Sequence, residues 1–483
     1  MLQKFIKNIA LVLFLNLLIK PFWILGIDRS VQNAVGIDNY GFYYAIINFT
    51  FLLNILLDFG ITNFNNKNIA QNNHLLRKHL SNIIVLKLIL GFVYLIISLI
   101  CGLLIGYSSQ QVFVLIILSF NQFLISFVLY LRSNLSGMHL FKTDSMISVL
   151  DRLIMIIVCS ILLWGKLPIT FSIRWYVFAQ TFAYALTALI TLIIVFKKAK
   201  TKFLKMSWNL PFSIMIIKNS YPFAILVLLM AFYNRIDTVM IERMLPDPIG
   251  SRQSGIYASA YRLLDATNMI AYLFAALLLP IFSKMLKHKD SVEDLVKFSF
   301  TLLYIPAVII SIGSFFYRYE LMGMLYNEHI EASAEVFGFL MTCFVPIATT
   351  YIFGTLLTAN GNLKFLNIVA ASGMVINISL NLFLIPKFFA VGSAYASLTT
   401  QFITSIVQVL IVQKLFKFKL NYFFLFRLII FTLGVLLINY FTFEIFKDWK
   451  INFAIMLILS GVFSLLIRLL DVKNIIKIAK YGE

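Results

Sequence analysis

The stretch FAILVLLMAFYNRIDTVMIERML (residues 223–245) has the length of a membrane helix but carries four charged side chains, Arg235, Asp237, Glu242 and Arg243. A helix crosses the ~30 Å hydrocarbon core with about 20 mostly apolar residues. A charge near the bilayer centre costs about 2.5–3.5 kcal/mol on insertion scales, so it is normally turned toward a partner or a water-filled cavity. The stretch therefore predicts a membrane helix whose charges face the protein interior.

The composition extends this prediction to the whole chain. Of its 483 residues, 61% are hydrophobic and 12% are charged, whereas soluble domains carry about 25% charged residues. No polar block of domain size interrupts the sequence. The first apolar segment, residues 4–27, has a basic start like a signal peptide, but no small-x-small cleavage site follows, so we interpret it as a retained helix.

Apolar runs of membrane length recur along the chain, and they predict an all-α polytopic membrane protein with about 14 transmembrane helices. No segment alternates with the period of two that membrane β-barrel strands show. The predicted spans are residues 8–27, 41–63, 83–106, 112–131, 146–165, 173–196, 219–245, 255–283, 298–317, 333–358, 366–385, 391–413, 423–443 and 451–468.

The distribution of Lys and Arg predicts the orientation in the membrane. One set of alternate connections holds 25 of these residues and the other set holds nine. Because the richer set normally faces the cytoplasm, both termini are predicted to lie inside. This bias accounts for most of the +20 net charge, and it indicates topology and contact with anionic lipids rather than nucleic acid.

A basic connection near the middle of the chain divides the sequence into two halves. Each half contains a Gly-x-Tyr motif near the start of its second helix, at Gly41 and at Gly255, and a related motif occurs at residues 391–400. Two similar six-helix halves are an arrangement that secondary transporters use. The predicted parts are an N-terminal six-helix bundle (1–196), a basic cytoplasmic linker (197–218), a C-terminal six-helix bundle (219–413), and two extra helices with a basic tail (414–483).

The charges of the seventh and eighth spans lie at matching depths. At about 1.5 Å per residue, Arg235 and Asp237 lie about 16 and 13 Å from the outer end of their helix. Counted in the same way, Arg262 and Asp265 lie about 10 and 15 Å deep in the next helix. We therefore predict that Arg235 meets Asp265 and that Asp237 meets Arg262. These groups either lock the two helices together or contact a substrate or coupling ion, and both hold if the lock opens during transport.

Other charged side chains in the spans lie at varied depths. Lys20 lies deep in the first span and can reach an anionic group, snorkel, or contact a nearby acid, while Asp58 lies toward the inner end of the second span. Glu242 and Arg243 lie near the outer surface and are expected to be solvated. Three further basic residues are expected to snorkel to the cytoplasmic face, namely Lys87, Arg152 and Arg427.

The sequence carries no motif of a soluble catalytic unit. It has no Gly-x-x-x-x-Gly-Lys-Ser/Thr loop, no His-Glu-x-x-His motif and no Cys/His cluster. Its three cysteines lie in apolar runs and predict small buried side chains. We therefore predict no catalytic residue, no cofactor and no metal site, and any transport must draw on an ion or substrate gradient.

Three segments together carry a family resemblance. They are RIDTVMIERMLPDPIGSRQSGIYASAYRLLDATNMIAYLFAALLLPIFSKM (235–285), GFYYAIINFTFLLNILLDFGITNFNNKNIA (41–70) and VGSAYASLTTQ (391–401). In order and spacing they resemble bacterial oligosaccharide flippases. These are Wzx-like members of the polysaccharide transporter family, within the multidrug/oligosaccharidyl-lipid/polysaccharide exporter superfamily.

The resemblance implies two six-helix bundles around a central cavity, plus two C-terminal helices, in the bacterial cytoplasmic membrane. It implies alternating access, driven by H⁺ or Na⁺, that moves undecaprenyl-diphosphate-linked oligosaccharide to the outer leaflet for lipopolysaccharide O-antigen or similar glycans. Membrane lipids and other polysaccharide-assembly proteins are the implied partners. The residues available to bind the diphosphate are Lys20, Arg235 and Arg262, and those available for charge pairing or ion coupling are Asp58, Asp237 and Asp265.

Three alternative functions stay open. A lipid II flippase shares this fold and helix count, although we expect a more cationic first helix there than the single Lys20. A drug exporter of the same superfamily usually has twelve helices and fewer cavity cations. A glycan polymerase, which is an enzyme, typically has a large outer loop, whereas the longest outer connection here is residues 318–332.

Overall fold

A computed structural model describes most of the chain as helix, and no strand occurs among the described residues. The chain packs as two compact units, Met1–Ala258 and Ser259–Glu483. The described residues are 15–16, 18–62, 65–66, 69, 76–138, 140–166, 168, 170–199, 209–418 and 421–469, without the side chains of 77, 78, 219–223 and 226.

The first unit contains nine described α-helices, the last of which continues into the second unit. They are α1 (Arg29–Val35), α2 (Ile37–Leu52), α3 (Ile55–Asp58), α4 (Leu76–Leu104), α5 (Ser109–Gly137), α6 (Phe141–Trp164), α7 (Ile173–Ala199), α8 (Leu210–Met244) and α9 (Ile249–His288).

The first predicted span stays helical through Pro21. Residues 18–22 are α-helical, Trp23–Asp28 form a π-helical segment, and α1 follows without a break. A proline removes one backbone donor and crowds the preceding turn, and a widened π turn is one way in which a helix accommodates such a defect. The described part of this helix therefore widens after Lys20 and Pro21 instead of ending there.

The second predicted span is broken toward its C-terminal end. Helix α2 ends at Leu52, and the short α3 ends in Phe59 (φ 44°) and Gly60 (φ 78°), both in the left-handed region. The Asp58 carboxylate accepts hydrogen bonds from the Thr62 backbone N–H (3.2 Å) and hydroxyl (2.6 Å). A short acidic side chain that captures a later backbone N–H favours a turn over a continuing helix. The prediction of one uninterrupted helix over residues 41–63 is therefore wrong.

The second unit contains the rest of α9 and seven further described helices. They are α10 (Glu293–Phe316), α11 (Arg318–Leu325), α12 (Ile330–Thr342), α13 (Phe344–Ala359), α14 (Leu363–Phe416), α15 (Tyr422–Thr442) and α16 (Trp449–Leu466). Helix α14 bends sharply at Phe389 (φ 54°, ψ −135°), shortly after Pro386. The bend separates the two predicted spans 366–385 and 391–413.

The last two helices pack on α10 around a compact aromatic cluster. Tyr317, Phe431 and Met456 are fully buried there. The rings of Tyr317 and Phe453 meet edge to face, with centroids 5.2 Å apart, which is a favourable geometry for aromatic pairs.

Among the described residues, ten helical segments are long and apolar enough to cross a membrane. These ten segments correspond to the eleven predicted spans three to six and eight to fourteen. Helix α14 contains two predicted spans, and α12 together with α13 contains one. The all-α membrane fold is thus confirmed. The exact number of fourteen spans stays a prediction, because the first, second and seventh predicted spans are not among these ten segments.

Candidate functional site

Lys20 lies half-buried against α6, in the helical segment that precedes α1 (residues 18–28, called here the first helix). One turn earlier, the side-chain amide of Asn16 donates a hydrogen bond to the Ser148 hydroxyl of α6 (3.3 Å). The charged groups near the Lys20 ammonium are Arg152 and Asp151 of α6 and Arg132 of α5. Within the described part of the chain, no carboxylate oxygen lies within 4.0 Å of that ammonium. Lys20 is therefore a half-buried cation of the first predicted span without a close acidic partner there.

Asp58 forms an ion pair with Lys87 of α4, a partner that the sequence did not reveal. The Lys87 ammonium also donates hydrogen bonds to the Leu57 carbonyl (2.9 Å) and the Ser126 hydroxyl (3.1 Å). The Lys87 side chain is 1% exposed and that of Asp58 is 25% exposed. The prediction that Lys87 snorkels is wrong, because the break after α3 brings a carboxylate and a free helix-end carbonyl within its reach.

Asp237 is buried in α8 and accepts a hydrogen bond from the Tyr257 hydroxyl of α9 (2.7 Å). Asp28, in the first helix, is equally buried. It accepts hydrogen bonds from the hydroxyls of Tyr40 (2.7 Å) and Tyr176 (2.5 Å). In each half of the sequence, the first helix thus holds a buried acid that is bound by a tyrosine from the start of the second helix.

The sequence reasoning missed Asp28, because it stands beside Arg29 at the end of the predicted first span and resembles a solvated connection. A weak signal for it lies near the repeat. Tyr40 directly precedes the first Gly-x-Tyr motif, Tyr257 is the tyrosine of the second, and an aspartate stands in the helix before each of them.

Arg235 lies half-buried in α8, and its guanidinium stands 5.5 Å from the ring centre of Phe51 in α2. Arg262 and Asp265 are half-buried side chains of the second unit. Each of the two predicted ion pairs joins a residue of the first unit to one of the second. The pairing of Arg235 with Asp265, and of Asp237 with Arg262, therefore stays a prediction.

The two Gly-x-Tyr motifs pack against each other within the first unit. A Cβ atom added at Gly41 would lie 1.9 Å from the Ser251 carbonyl oxygen, and one added at Gly255 would lie 2.2 Å from the Ile37 carbonyl oxygen. The Ser254 hydroxyl donates a hydrogen bond to the Gly41 carbonyl (3.2 Å). Small residues allow helix backbones to approach this closely in membranes, so the weak sequence repeat marks a real crossing of α2 and α9.

Polar contacts extend this crossing along α2. Arg252 donates two hydrogen bonds to the Asp38 carboxylate (3.1 and 3.2 Å). Further along, the Asn48 amide donates to the Thr238 hydroxyl of α8 (2.8 Å), and both side chains are buried. Helix α2 is therefore held to the adjoining ends of α8 and α9.

Glu242 is the centre of a buried polar cluster at the end of α8, and the prediction that it is solvated is wrong. The Gln111 side chain of α5 donates to it (2.6 Å), and Arg243 donates to both of its carboxylate oxygens. The Arg243 guanidinium also stands 4.8 Å from the ring centre of Tyr107. Burial and the nearby Glu242 raise the pKa of the Tyr107 phenol, against an opposing effect of Arg243. The cluster (Tyr107, Gln111, Glu242 and Arg243) ties α8 to the turn between α4 and α5.

In the second unit, polar side chains line one side of α14. Asn377 and Asn381 are fully buried, and the amide of Asn381 donates to the Asn377 carbonyl oxygen (3.0 Å). Beyond the bend, the buried polar residues are Ser393, Ser397, Thr400, Gln401, Thr404, Ser405 and Gln408.

No group of three or more His, Cys, Asp or Glu side chains among the described residues is placed to hold a metal ion.

Comparison with protein families gives one match that covers more than half of the chain. The family is described as "Polysaccharide biosynthesis protein", and its model matches residues 5–286. A comparison with curated protein sequences finds no match.

Several solved structures have a similar fold at low sequence identity. The lipid II flippase MurJ in an inward closed conformation is 15% identical, covers 92% of this chain and 97% of its own, and has a TM-score of 0.70. An inward-facing MATE family multidrug resistance transporter of the MOP superfamily is 14% identical, with coverages of 84% and 98% and a TM-score of 0.62. A MOP superfamily transporter from Pyrococcus furiosus is 14% identical, with coverages of 85% and 96% and a TM-score of 0.54. These similarities place the chain in the fold of this transporter superfamily.

Proposed function

Because the chain belongs to the polysaccharide biosynthesis protein family, we propose that it is a flippase for undecaprenyl-diphosphate-linked oligosaccharide. It moves this substrate from the cytoplasmic to the outer leaflet of the bacterial cytoplasmic membrane, for glycans such as O-antigen, and it catalyses no covalent step. The observation that carries the proposal is Lys20, a half-buried cation in a membrane helix. A charge in this position is normally retained for a polar ligand or partner. A diphosphate is a ligand with the opposite charge.

The proposed binding groups for the diphosphate are Lys20, Arg235 and Arg262. Asp237 and Asp265 neutralise these cations when no substrate is bound. When substrate binds, phosphate replaces these carboxylates as the partner of the cations. The carboxylates then take up H⁺ or Na⁺ during alternating access. Asp58 is a further proposed coupling group, and its ion pair with Lys87 provides the cation that its protonation would release.

Removal of Arg235 and Arg262 tests the proposal. We expect the double variant R235A/R262A to lose surface glycan in cells while its level in the membrane fraction stays close to that of the wild type. Arg427 supplies a matched control, because its guanidinium donates to the Arg468 carbonyl (3.1 Å) at the surface of the second unit. R427A is expected to export glycan normally. Normal glycan export by R235A/R262A contradicts the proposal.

A lipid II flippase is the second candidate, and the fold similarity to MurJ favours it. The two substrates share the undecaprenyl diphosphate and differ in the attached sugar and peptide. Deletion of the gene separates them, because the lipid-linked intermediate that accumulates in the inner leaflet identifies the substrate. An undecaprenyl-linked repeat unit indicates the oligosaccharide flippase, and accumulated lipid II indicates the alternative.

A further inference from the structure

We propose that Arg152 of α6 forms, together with Lys20, a two-cation binding site for a diphosphate group within the first unit. This inference rests on the proposed function and adds to it a second binding residue, which the sequence had placed near the cytoplasmic face. The site has three supporting observations, namely the alignment of two helix faces, the unused hydrogen-bond donors of Arg152, and the local charge balance.

The first helix and α6 run side by side in the same direction. Asn16 contacts Ser148, and seven residues further along Trp23 lies 5.6 Å from the Arg152 guanidinium. Residues four apart share one face of a helix, so Lys20 follows Asn16 on one face and Arg152 follows Ser148 on the opposing face. This arrangement directs the two cations toward the same level of the helix pair.

The Arg152 guanidinium is fixed in place but keeps unused donors. It donates to the Tyr184 hydroxyl through Nη1 (3.2 Å), and it lies over the rings of Trp23 and Tyr184 at 5.6 and 5.8 Å. Its closest approach to Asp151 is 3.7 Å from Nε, beyond hydrogen-bond length. Among the described residues, neither Nε nor Nη2 donates a hydrogen bond, and 28% of the side chain is exposed. A planar guanidinium with donors to spare matches phosphate oxygens in a bidentate geometry.

The charges around the pair do not cancel. Arg132 is neutralised by Asp144, at 2.7 Å. Asp151 then remains as the acid acting on both Lys20 and Arg152. Two cations that share one carboxylate at membrane depth repel each other, and an anion bound between them removes the repulsion. A diphosphate offers two adjacent anionic groups, one for each cation.

Binding of inorganic pyrophosphate to the purified full-length protein in an uncharged detergent tests this site. Thermal unfolding is followed during titration, because a ligand that binds only the folded state raises the Tm in a saturable manner. We expect R152Q and K20Q to weaken pyrophosphate binding about tenfold or more, since each removes a charge-assisted contact. R152K is expected to be intermediate, because it keeps the charge but loses the planar fork.

Controls separate this site from general charge effects. R427Q removes a surface arginine and is expected to bind pyrophosphate as the wild type does. Orthophosphate, which offers a single anionic group, is expected to bind more weakly than pyrophosphate. If R152Q does not fold, acylation of Lys20 in the wild type decides the question, because bound pyrophosphate must shield its amine from the reagent in mass spectrometry. Unaltered binding by R152Q, absence of saturable binding to the wild type, or an unshielded Lys20 each overturns the inference.

Glycan export in cells distinguishes failure of this inference from failure of the proposed function. If pyrophosphate binding follows the expected pattern but cells without the gene export normal glycan, the flippase proposal fails while the anion site stands. If R152Q exports glycan and binds pyrophosphate as the wild type does, only the role of Arg152 is removed.

Discussion

Lys20 and Lys87 are lysines of predicted membrane spans in the same unit with opposite surroundings. The Lys87 ammonium is surrounded by the Asp58 carboxylate, a carbonyl and a hydroxyl, which use its three N–H donors. The Lys20 ammonium has no carboxylate within 4.0 Å among the described residues. A satisfied ion pair holds helices together, whereas a cation with unused donors is available to a ligand.

Replacement of Lys87 by methionine is therefore expected to destabilise the protein. Loss of one partner of a fully buried ion pair costs about 3–5 kcal/mol, because the other charge is left unpaired. Asp58 is 25% exposed, so the loss is expected at or below the lower end of this range. Thermal unfolding of K87M in detergent measures it, and K20M serves as the matched lysine control with little change in Tm.

The double variant K87M/D58N isolates the ion pair from the rest of the site. Because it removes both charges together, it is expected to recover a large part of the Tm lost in K87M. A double variant that is no more stable than K87M contradicts this account of the pair.

At the scale of helices, the crossing of α2 and α9 depends on the absence of two side chains. In G41A, the new methyl group would stand 1.9 Å from the Ser251 carbonyl oxygen, so the two helices must separate. The Arg252–Asp38 and Ser254–Gly41 contacts lie at the same crossing. We expect G41A to lower the Tm and to reduce glycan export severely, as measured by surface glycan staining.

Gly461 of α16 provides the matched control for this substitution. It is also a helical glycine, but a Cβ added there meets no atom within 4 Å. Alanine is favoured over glycine in a helix by about 0.5–1 kcal/mol, so G461A is expected to keep full export and an equal or higher Tm. Equal behaviour of G41A and G461A contradicts the close-packing role of Gly41.

The lengths of the apolar runs predicted most helices well but not their local breaks. The predicted span 173–196 corresponds to Ile173–Ala199 and the span 423–443 to Tyr422–Thr442, because hydrophobic length is a property of each segment alone. The turn at Phe59 depends on the capture of the Thr62 backbone by Asp58. A local side-chain contact of this kind competes with the helix without changing the apolar pattern.

The polar sites show the same division. The helical state of Lys20 was predictable from its place in an apolar run. The partners of Lys87 and Glu242 come from α3 and α5, which are distant in the sequence. Their burial was missed because depth counted along one helix gives no information about which neighbour faces it.

The distribution of basic residues belongs to the whole molecule, since 25 Lys and Arg lie on one set of connections and nine on the other. Short connections rich in Lys and Arg stay in the cytoplasm, so both termini and the linker near residue 205 are expected inside. Alkaline phosphatase needs an oxidising compartment for its disulfides. Fusions after residues 246 and 326 should therefore be active, and fusions after residue 205 or at the C-terminus inactive. If the C-terminal fusion and the fusion after residue 246 are both active, the number of spans is odd. If the C-terminal fusion is active and the fusion after residue 246 is inactive, the orientation is the opposite of the predicted one.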